Sequence, residues 1–417
     1  MMMKENIRFH YGWVILGLGV LTVTGALGLA RFGYTMILPA MKSGLGLNDA
    51  RAGDLATGNL AGYLAFALMG GFLSTRFSPR LIISFFMALI SLSMILTGLA
   101  DDYGTALLGR VLSGVGGGGT NIPVLGVVMA WFAVSRRGLA TGIAVSGSSF
   151  GLLLTGLAVP GILAQGDADG WRQAWFFLGG VTLVIALTVV LFLRDTPWAM
   201  GVRPCGEAAS ATPPSKTSPP SLLKIFTIVY RTVDVWHLAM VYLLFGFSYI
   251  IYATFFVRHL NWEIGFSIDN AGRLWSLVGA VSVGSGLLWG AFSDRFGRKT
   301  GLALVFLLQA LCYASFAVWK TPAGCYLSAF LFSLTAWSIP AVMAAAVGDV
   351  VGTKLAPAVL GFVTLFFGVG QVLGPFVAGR IADFTGSYAL AFGLAAAASF
   401  AGGLLSMALR VRSSSSG

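Results

Sequence analysis

The chain has 417 residues, 57% of them hydrophobic and 10% charged, against about 25% charged in ordinary soluble domains. That composition excludes a water-soluble globule and leaves a protein that crosses a membrane several times. The formal net charge of +11 would suit nucleic acid in a soluble chain, but the basic residues sit mostly in short segments between apolar runs, where they report orientation in a lipid bilayer. No nucleic-acid partner is expected. Cys205, Cys312 and Cys325 lack metal-ligand spacing and cannot all pair, so neither a metal site, a cofactor nor a disulfide framework is expected.

A helix needs about 20 residues to cross about 30 Å of hydrocarbon. Twelve apolar runs reach that length: residues 12–38, 52–73, 81–100, 106–132, 139–163, 172–193, 235–257, 271–292, 301–319, 325–350, 357–381 and 388–409. The first follows Lys4, Arg8 and His10 and is too long for the apolar core of a signal peptide, so it reads as a retained helix. Of the 26 Lys and Arg, 17 fall at the termini or in every second connector, which carry Arg76, Arg80, Arg136, Arg137, the five basic residues of 194–234, Arg295, Arg298, Lys299 and Lys354. The positive-inside rule then places both termini in the cytoplasm.

In the outer half of helix 1, seven residues at 100° each put Arg31 on the face of Thr24. Its planar fork there suits a carboxylate; the plainer roles are snorkelling to the interface or pairing with Asp54. Tyr34 follows one turn on. Helix 4 carries Arg110, and about three turns later Asn121 returns to the same face with Gly114 and Gly117. The Gly116–Gly119 run lacks the strand and lysine of a phosphate loop and reads as close helix packing. Residues 194–234 form the one extended polar stretch, with six prolines between Pro197 and Pro220, and are expected to stay unpacked as a cytoplasmic linker.

Helix 7 lines up Tyr242, Phe245, Tyr249, Tyr252 and Phe256 on one aromatic face. Tyr249 and Tyr252 lie deeper than an interface belt, and their hydroxyls need partners, so one of them is a candidate for substrate or gate contact. In helix 10, Trp337 and Ser338 precede Pro340, and such an interruption marks either a binding region or a packing kink. Gln371 in helix 11 has Phe366 and Phe367 one turn away. Arg172, Arg273 and Arg380 read as boundary anchors.

The chain also repeats itself. Gly71-Phe-Leu-Ser-Thr-Arg-Phe-Ser-Pro-Arg80 matches Gly290-Ala-Phe-Ser-Asp-Arg-Phe-Gly-Arg-Lys299 at an offset of 219 residues, and the same offset carries Gly142 and Gly151 onto Gly361 and Gly370. A duplicated six-helix unit explains this, with domains at 1–193 and 235–417 joined by the linker 194–234.

Twelve spans, a central linker and the run Gly290-x-x-x-Asp294-Arg295-x-Gly297-Arg298-Lys299 resemble the major facilitator superfamily. The resemblance implies an all-α membrane protein of two pseudo-symmetric six-helix bundles. In the first-half copy Thr75 replaces the aspartate and Ser78-Pro79 replaces Gly-Arg. The opening His10-Tyr-Gly-Trp-Val-Ile15 and the closing Gly374 to Tyr388 resemble bacterial monocarboxylate and oxalate:formate porters, although the helix-8 arginine common in monocarboxylate porters is missing from Gly284-Ser-Gly-Leu-Leu-Trp289.

In that superfamily helices 1, 4, 7 and 10 line the cavity. The resemblance therefore implies substrate contacts from Arg31, Tyr34, Arg110, Asn121, Tyr249, Tyr252 and Trp337, with Gln371 beside them, and a cytoplasmic latch of Asp294, Arg295 and Arg298 that Asp349 could join. The expected function is secondary active transport of a small organic anion, monocarboxylate-like, by alternating access in the inner membrane, as a monomer. Protons are the coupling ion the resemblance implies; since no carboxylate lies at mid-membrane depth, uniport and exchange stay open. The anion rests on Arg31 and Arg110 lying inside spans. A drug:proton antiporter and a non-transporting membrane sensor remain alternatives. An enzyme is not expected, because His10, His237 and His259 are far apart and no Ser/His/Asp or HExxH arrangement occurs.

Overall fold

The computed structural model describes residues 10–207, 232–352 and 355–409. Lys4, Arg8, Lys354 and the 208–231 part of the expected linker lie outside them. The described residues form helices from end to end: α1 Gly12–Gly44, α2 Asp49–Arg76, α3 Pro79–Gly98, α4 Tyr103–Trp131, α5 Val134–Gln165, α6 Gly170–Phe192, α7 Val233–Trp262, α8 Ile268–Ser282 with Ser285–Phe296, α9 Arg298–Val318, α10 Pro322–Val351, α11 Ala356–Thr385 and α12 Ala389–Ala408. Eleven are long and apolar enough to cross a membrane, and bent α8, turned by 41° at its break, makes twelve as one span. Each helix matches its apolar run, with ends that agree to within a few residues. Several exceed it by a turn, because polar residues such as Lys42 and Arg76 continue a helix after hydropathy has ended.

Local chemistry sets the helix ends. Asp102, Ser267 and Thr321 cap α4, α8 and α10 by accepting from the backbone N–H of Thr105, Asn270 and Gly324 at 3.0, 3.2 and 3.4 Å, which satisfies donors a helix start leaves open. Pro79 and Pro322 stand in the first turns of α3 and α10, where a missing N–H does no harm.

Two compact units result. The first holds Met1–Leu45 with Gly58–Lys216, and the second Gly46–Thr57 with Thr217–Gly417. The first turns of α2 thus belong with the second unit: Asn48 Nδ2 donates to Asp383 Oδ2 at 3.1 Å, and the Thr57 hydroxyl donates to the Val372 carbonyl at 3.2 Å. Hydropathy, which reads along the chain, has no means of dividing one helix this way.

Residues 194–207 depart from the expected unpacked linker. Asp195 accepts from the Ser78 hydroxyl at 2.6 Å and from the Arg80 N–H at 2.7 Å. Cys205 N–H donates to the Trp131 carbonyl at 2.8 Å, Ala133 N–H to the Cys205 carbonyl at 3.1 Å, and His10 Nε2 to the Arg203 carbonyl at 2.9 Å. The segment is poor in apolar side chains, but it supplies partners for backbone groups stranded at the start of α3 and the end of α4. That is what anchors it.

Candidate functional site

In the first unit the winding of α1 decides where its arginine points. Gly12–Val23 and Gly33–Gly44 are α-helical, but Thr24–Phe32 between them is a π-helix. Gly28 in that stretch packs on α5 so closely that a Cβ would stand 2.6 Å from the Gly151 Cα. A π turn bonds i to i+5 and so turns less per residue than an α-helix. Seven residues therefore no longer return Arg31 to the face of Thr24, and that expectation is corrected. Thr24 bonds the carbonyls of Val20 and Gly147 at 2.9 and 3.1 Å, whereas the Arg31 guanidinium lies 4.3 Å from the centre of the Tyr63 ring on α2.

Arg31 is half-buried, and its Nε is shielded from solvent with no hydrogen bond. Asp54, considered as its partner, is held by Arg380 at 2.8 Å. The Tyr63 hydroxyl accepts from Asn121 Nδ2 at 2.9 Å, and Asn121 Oδ1 is buried without a partner. Arg31 and Asn121 thus meet through Tyr63, a residue sequence reasoning passed over. Only its place on the half-polar α2 could have signalled it.

Arg110 is 1% exposed. Its Nη1 donates to the Ala30 carbonyl at 2.5 Å, and its guanidinium lies 4.7 Å from the Tyr34 ring centre and 5.3 Å from that of Trp175. Ala30 lies in the π stretch, next to Arg31. Arg110 and Tyr34 are packed inside the unit, where carbonyl and rings surround the cation. Asn59 joins them, donating to the Arg110 carbonyl at 3.2 Å and to the Ser113 hydroxyl at 2.8 Å.

In the second unit Gln371 donates to the Tyr249 hydroxyl, and the rings of Tyr242, Phe245 and Tyr249 stack with Phe367 within 17° of parallel. Tyr252 parts from this group. Fully buried, it sets its hydroxyl 2.9 Å from Ser328 Oγ and its ring 4.6 Å from Phe332 and 4.9 Å from Phe316. Its hydroxyl makes an interior hydrogen bond, because residues three apart on α7 look toward different neighbours.

Helix α10 is interrupted as Pro340 suggests, between Pro322–Thr335 and Ser338–Val351. Half-buried Trp337 donates its backbone N–H to Ser285 Oγ at 3.2 Å, beside the break in α8. The freed Leu334 and Thr335 carbonyls accept from Trp289 Nε1 at 2.8 Å and Gln309 Nε2 at 3.3 Å. In the loop motif Gly297 takes φ +90°, which glycine tolerates, and the turn folds Arg298 back onto Asp294 and, at 3.0 Å, onto Asp349. The latch partner of Asp294 is thus Arg298. Arg295 is exposed, over the Phe296 ring at 5.6 Å, because the next position on the helix points about 100° away from Asp294.

Residues 23–407 match the family described as uncharacterised MFS-type transporter YbfB, and the chain belongs to that family of membrane transporters, which are not enzymes. It is 25% identical to the probable sulfoacetate transporter SauU of Cupriavidus necator, covering 97% of this chain and 95% of that protein. It is also 25% identical to the hexuronate transporter of Bacillus subtilis, over 89% of this chain and 90% of that one. Among solved structures, a bacterial homologue of the human lysosomal transporter Spinster, inward-facing and unoccupied, has a TM-score of 0.75 at 16% identity and covers 96% of this chain and 95% of that chain. The fold is that of major facilitator transporters.

Proposed function

We propose that the protein moves a small, carboxylate-bearing organic anion across the cytoplasmic membrane by alternating access, coupled to protons, with both termini in the cytoplasm. The observation that carries the anion is Arg31: a half-buried guanidinium with an unbonded Nε, backed by the Tyr63 ring whose hydroxyl accepts from Asn121. A cation so placed favours a carboxylate, which accepts two parallel hydrogen bonds from one guanidinium. Sulfoacetate and hexuronates, named for two relatives, both carry that group. Among the described residues carboxylates stand at or near helix ends, so a site for an organic cation has no acid to use. Uptake of labelled sulfoacetate, glucuronate and acetate into proteoliposomes, against a neutral sugar and a cationic dye, tests the reading. Saturable uptake of an anion that Arg31→Ala abolishes is expected. Transport of the dye alone would point to a drug antiporter, and binding without counterflow to a sensor.

A further inference from the structure

At the end of α7, in the second unit, lies a buried acid–base group that the anion reading does not use. His259, in the last turn, is fully buried, with Phe316 and Phe392 at ring distances of 4.6 and 5.0 Å. Its Nε2 is 3.1 Å from the Phe316 carbonyl. A carbonyl only accepts, so Nε2 carries a hydrogen. Nδ1 is buried, has no aligned hydrogen bond, and stands 3.2 Å from Glu263 Oε1. It makes a charge contact rather than a linear bond.

Glu263 is well furnished with donors: Tyr388 N–H at 2.6 Å, the Ser387 hydroxyl at 2.7 Å and the Lys320 ammonium at 3.0 Å. Burial alone would raise its carboxyl, but His259, the Tyr388 N–H and the Ser387 hydroxyl hold it well below the usual carboxylate range. The three donors of Tyr388, Ser387 and Lys320 alone suffice to make Glu263 an anion. An imidazole protonated only on Nε2 would press the Nδ1 lone pair against that anion. A second proton, on Nδ1, turns the repulsion into attraction.

We propose that His259 is the proton-binding site of this transporter, taking its proton on Nδ1 with Glu263 as the fixed counter-ion. The proposal rests on the proton-coupled reading above and gives it a residue. A proton from water adds to the Nδ1 lone pair and leaves from the same atom, while Nε2 keeps its hydrogen on the Phe316 carbonyl. Access runs past Glu263 and Lys320, whose side chain is 46% exposed.

The charged groups around His259 are otherwise engaged. Arg258, next to it on α7, lies 4.4 Å over the Trp262 ring and 3.8 Å from Asp49 of α2. Asp269 and Arg273 of α8 pair with each other at 2.9 Å. Tyr388, before α12, gives its N–H to Glu263 and its hydroxyl to Asp49 at 2.7 Å. One residue therefore carries any change at the imidazole from the end of α7 to the first turn of α2.

The chain holds three histidines, so His10→Gln with His237→Gln leaves one ring to follow by nitrogen-15 NMR in lipid bilayers. Both ring nitrogens should carry protons when a pH gradient drives transport, and Glu263→Gln should weaken the second proton about tenfold or more. In proteoliposomes a pH gradient should drive accumulation of labelled sulfoacetate or glucuronate. His259→Gln, which keeps an N–H for the Phe316 carbonyl, should abolish accumulation yet retain counterflow. If that variant does not fold, the NMR titration with and without Glu263→Gln decides. A singly protonated ring from about pH 5 to pH 8, or pH-driven accumulation surviving in His259→Gln, overturns the proposal alone. A wild type that moves neither anion under a pH gradient overturns the proton-coupled reading, and the proposal with it.

Discussion

Arg31 rests its guanidinium on Tyr63, 4.3 Å from the ring centre, while Asp54, one candidate to neutralise it, is bound to Arg380 at 2.8 Å. Arg31→Ala is therefore expected to weaken binding of the best anion by about 2–5 kcal/mol, the range for a charge stripped of its close partner. Arg31→Lys should fall between, since it keeps charge but loses the fork. Calorimetry on monodisperse protein gives the answer; unchanged affinity in the alanine variant removes Arg31 from the site.

Arg110 should behave differently. With Nη1 on the Ala30 carbonyl and its cation between two rings, Arg110→Leu strands a buried acceptor, at about 1–3 kcal/mol. Lower thermal stability is expected first, with weaker anion binding only as the π stretch loosens. Wild-type melting combined with lost anion affinity would instead put Arg110 at the substrate.

Asp294→Asn should slow transport and leave the anion dissociation constant within about threefold, under 1 kcal/mol. It loosens the turn that Arg298 closes onto Asp294 and Asp349. Arg295→Ala, with no such partner in the turn, should transport nearly normally. Transport rates and equilibrium binding on the same preparations separate the two effects.

Orientation is best read from engineered thiols, because Cys205 is 6% exposed and would stay silent from either side. In a chain whose three cysteines are replaced, Ala168→Cys should react with an impermeant reagent on intact cells and Ala199→Cys should not; both positions are exposed. The reverse pattern inverts the topology.

Glu263 predicts an acid dependence of stability. Its carboxyl is held below the ordinary value of 4.5 in the folded protein, so its contribution is present above that value and lost as pH falls through the folded one. Glu263→Gln should thus be less stable than wild type at neutral pH. The gap should narrow below about pH 4.5, near the ordinary glutamate range. A gap that does not change with pH would mean the glutamine harms packing alone.

Much of the fold was legible because a spanning helix writes its length in apolar residues, and each of the twelve runs matches a helix to within a few residues. The site was legible in part. Arg31, Asn121 and the break before Pro340 announced themselves by type, since a charged, amide or ring-locked residue inside an apolar run is conspicuous. The π winding did not, because Thr24 to Phe32 is unexceptional in composition and its bonding depends on Gly28 meeting Gly151 from another helix. Tyr249 and Tyr252 look equivalent on α7, yet Ser328 takes one and Gln371 the other. His259 and Glu263 read as a helix end until Ser387 and Tyr388 arrive from far along the chain.

A π stretch holds one residue more per turn than the α-helix on either side of it. Ordinary bonding run through all nine residues from Thr24 to Phe32 would overwind the stretch and bring Arg31 back to the face of Thr24. The guanidinium would then swing off α2 with its own identity intact. Among related transporters, the winding of helix 1 thus becomes a character in its own right, sorting chains that aim an arginine at α2 from those that carry the same arginine turned away.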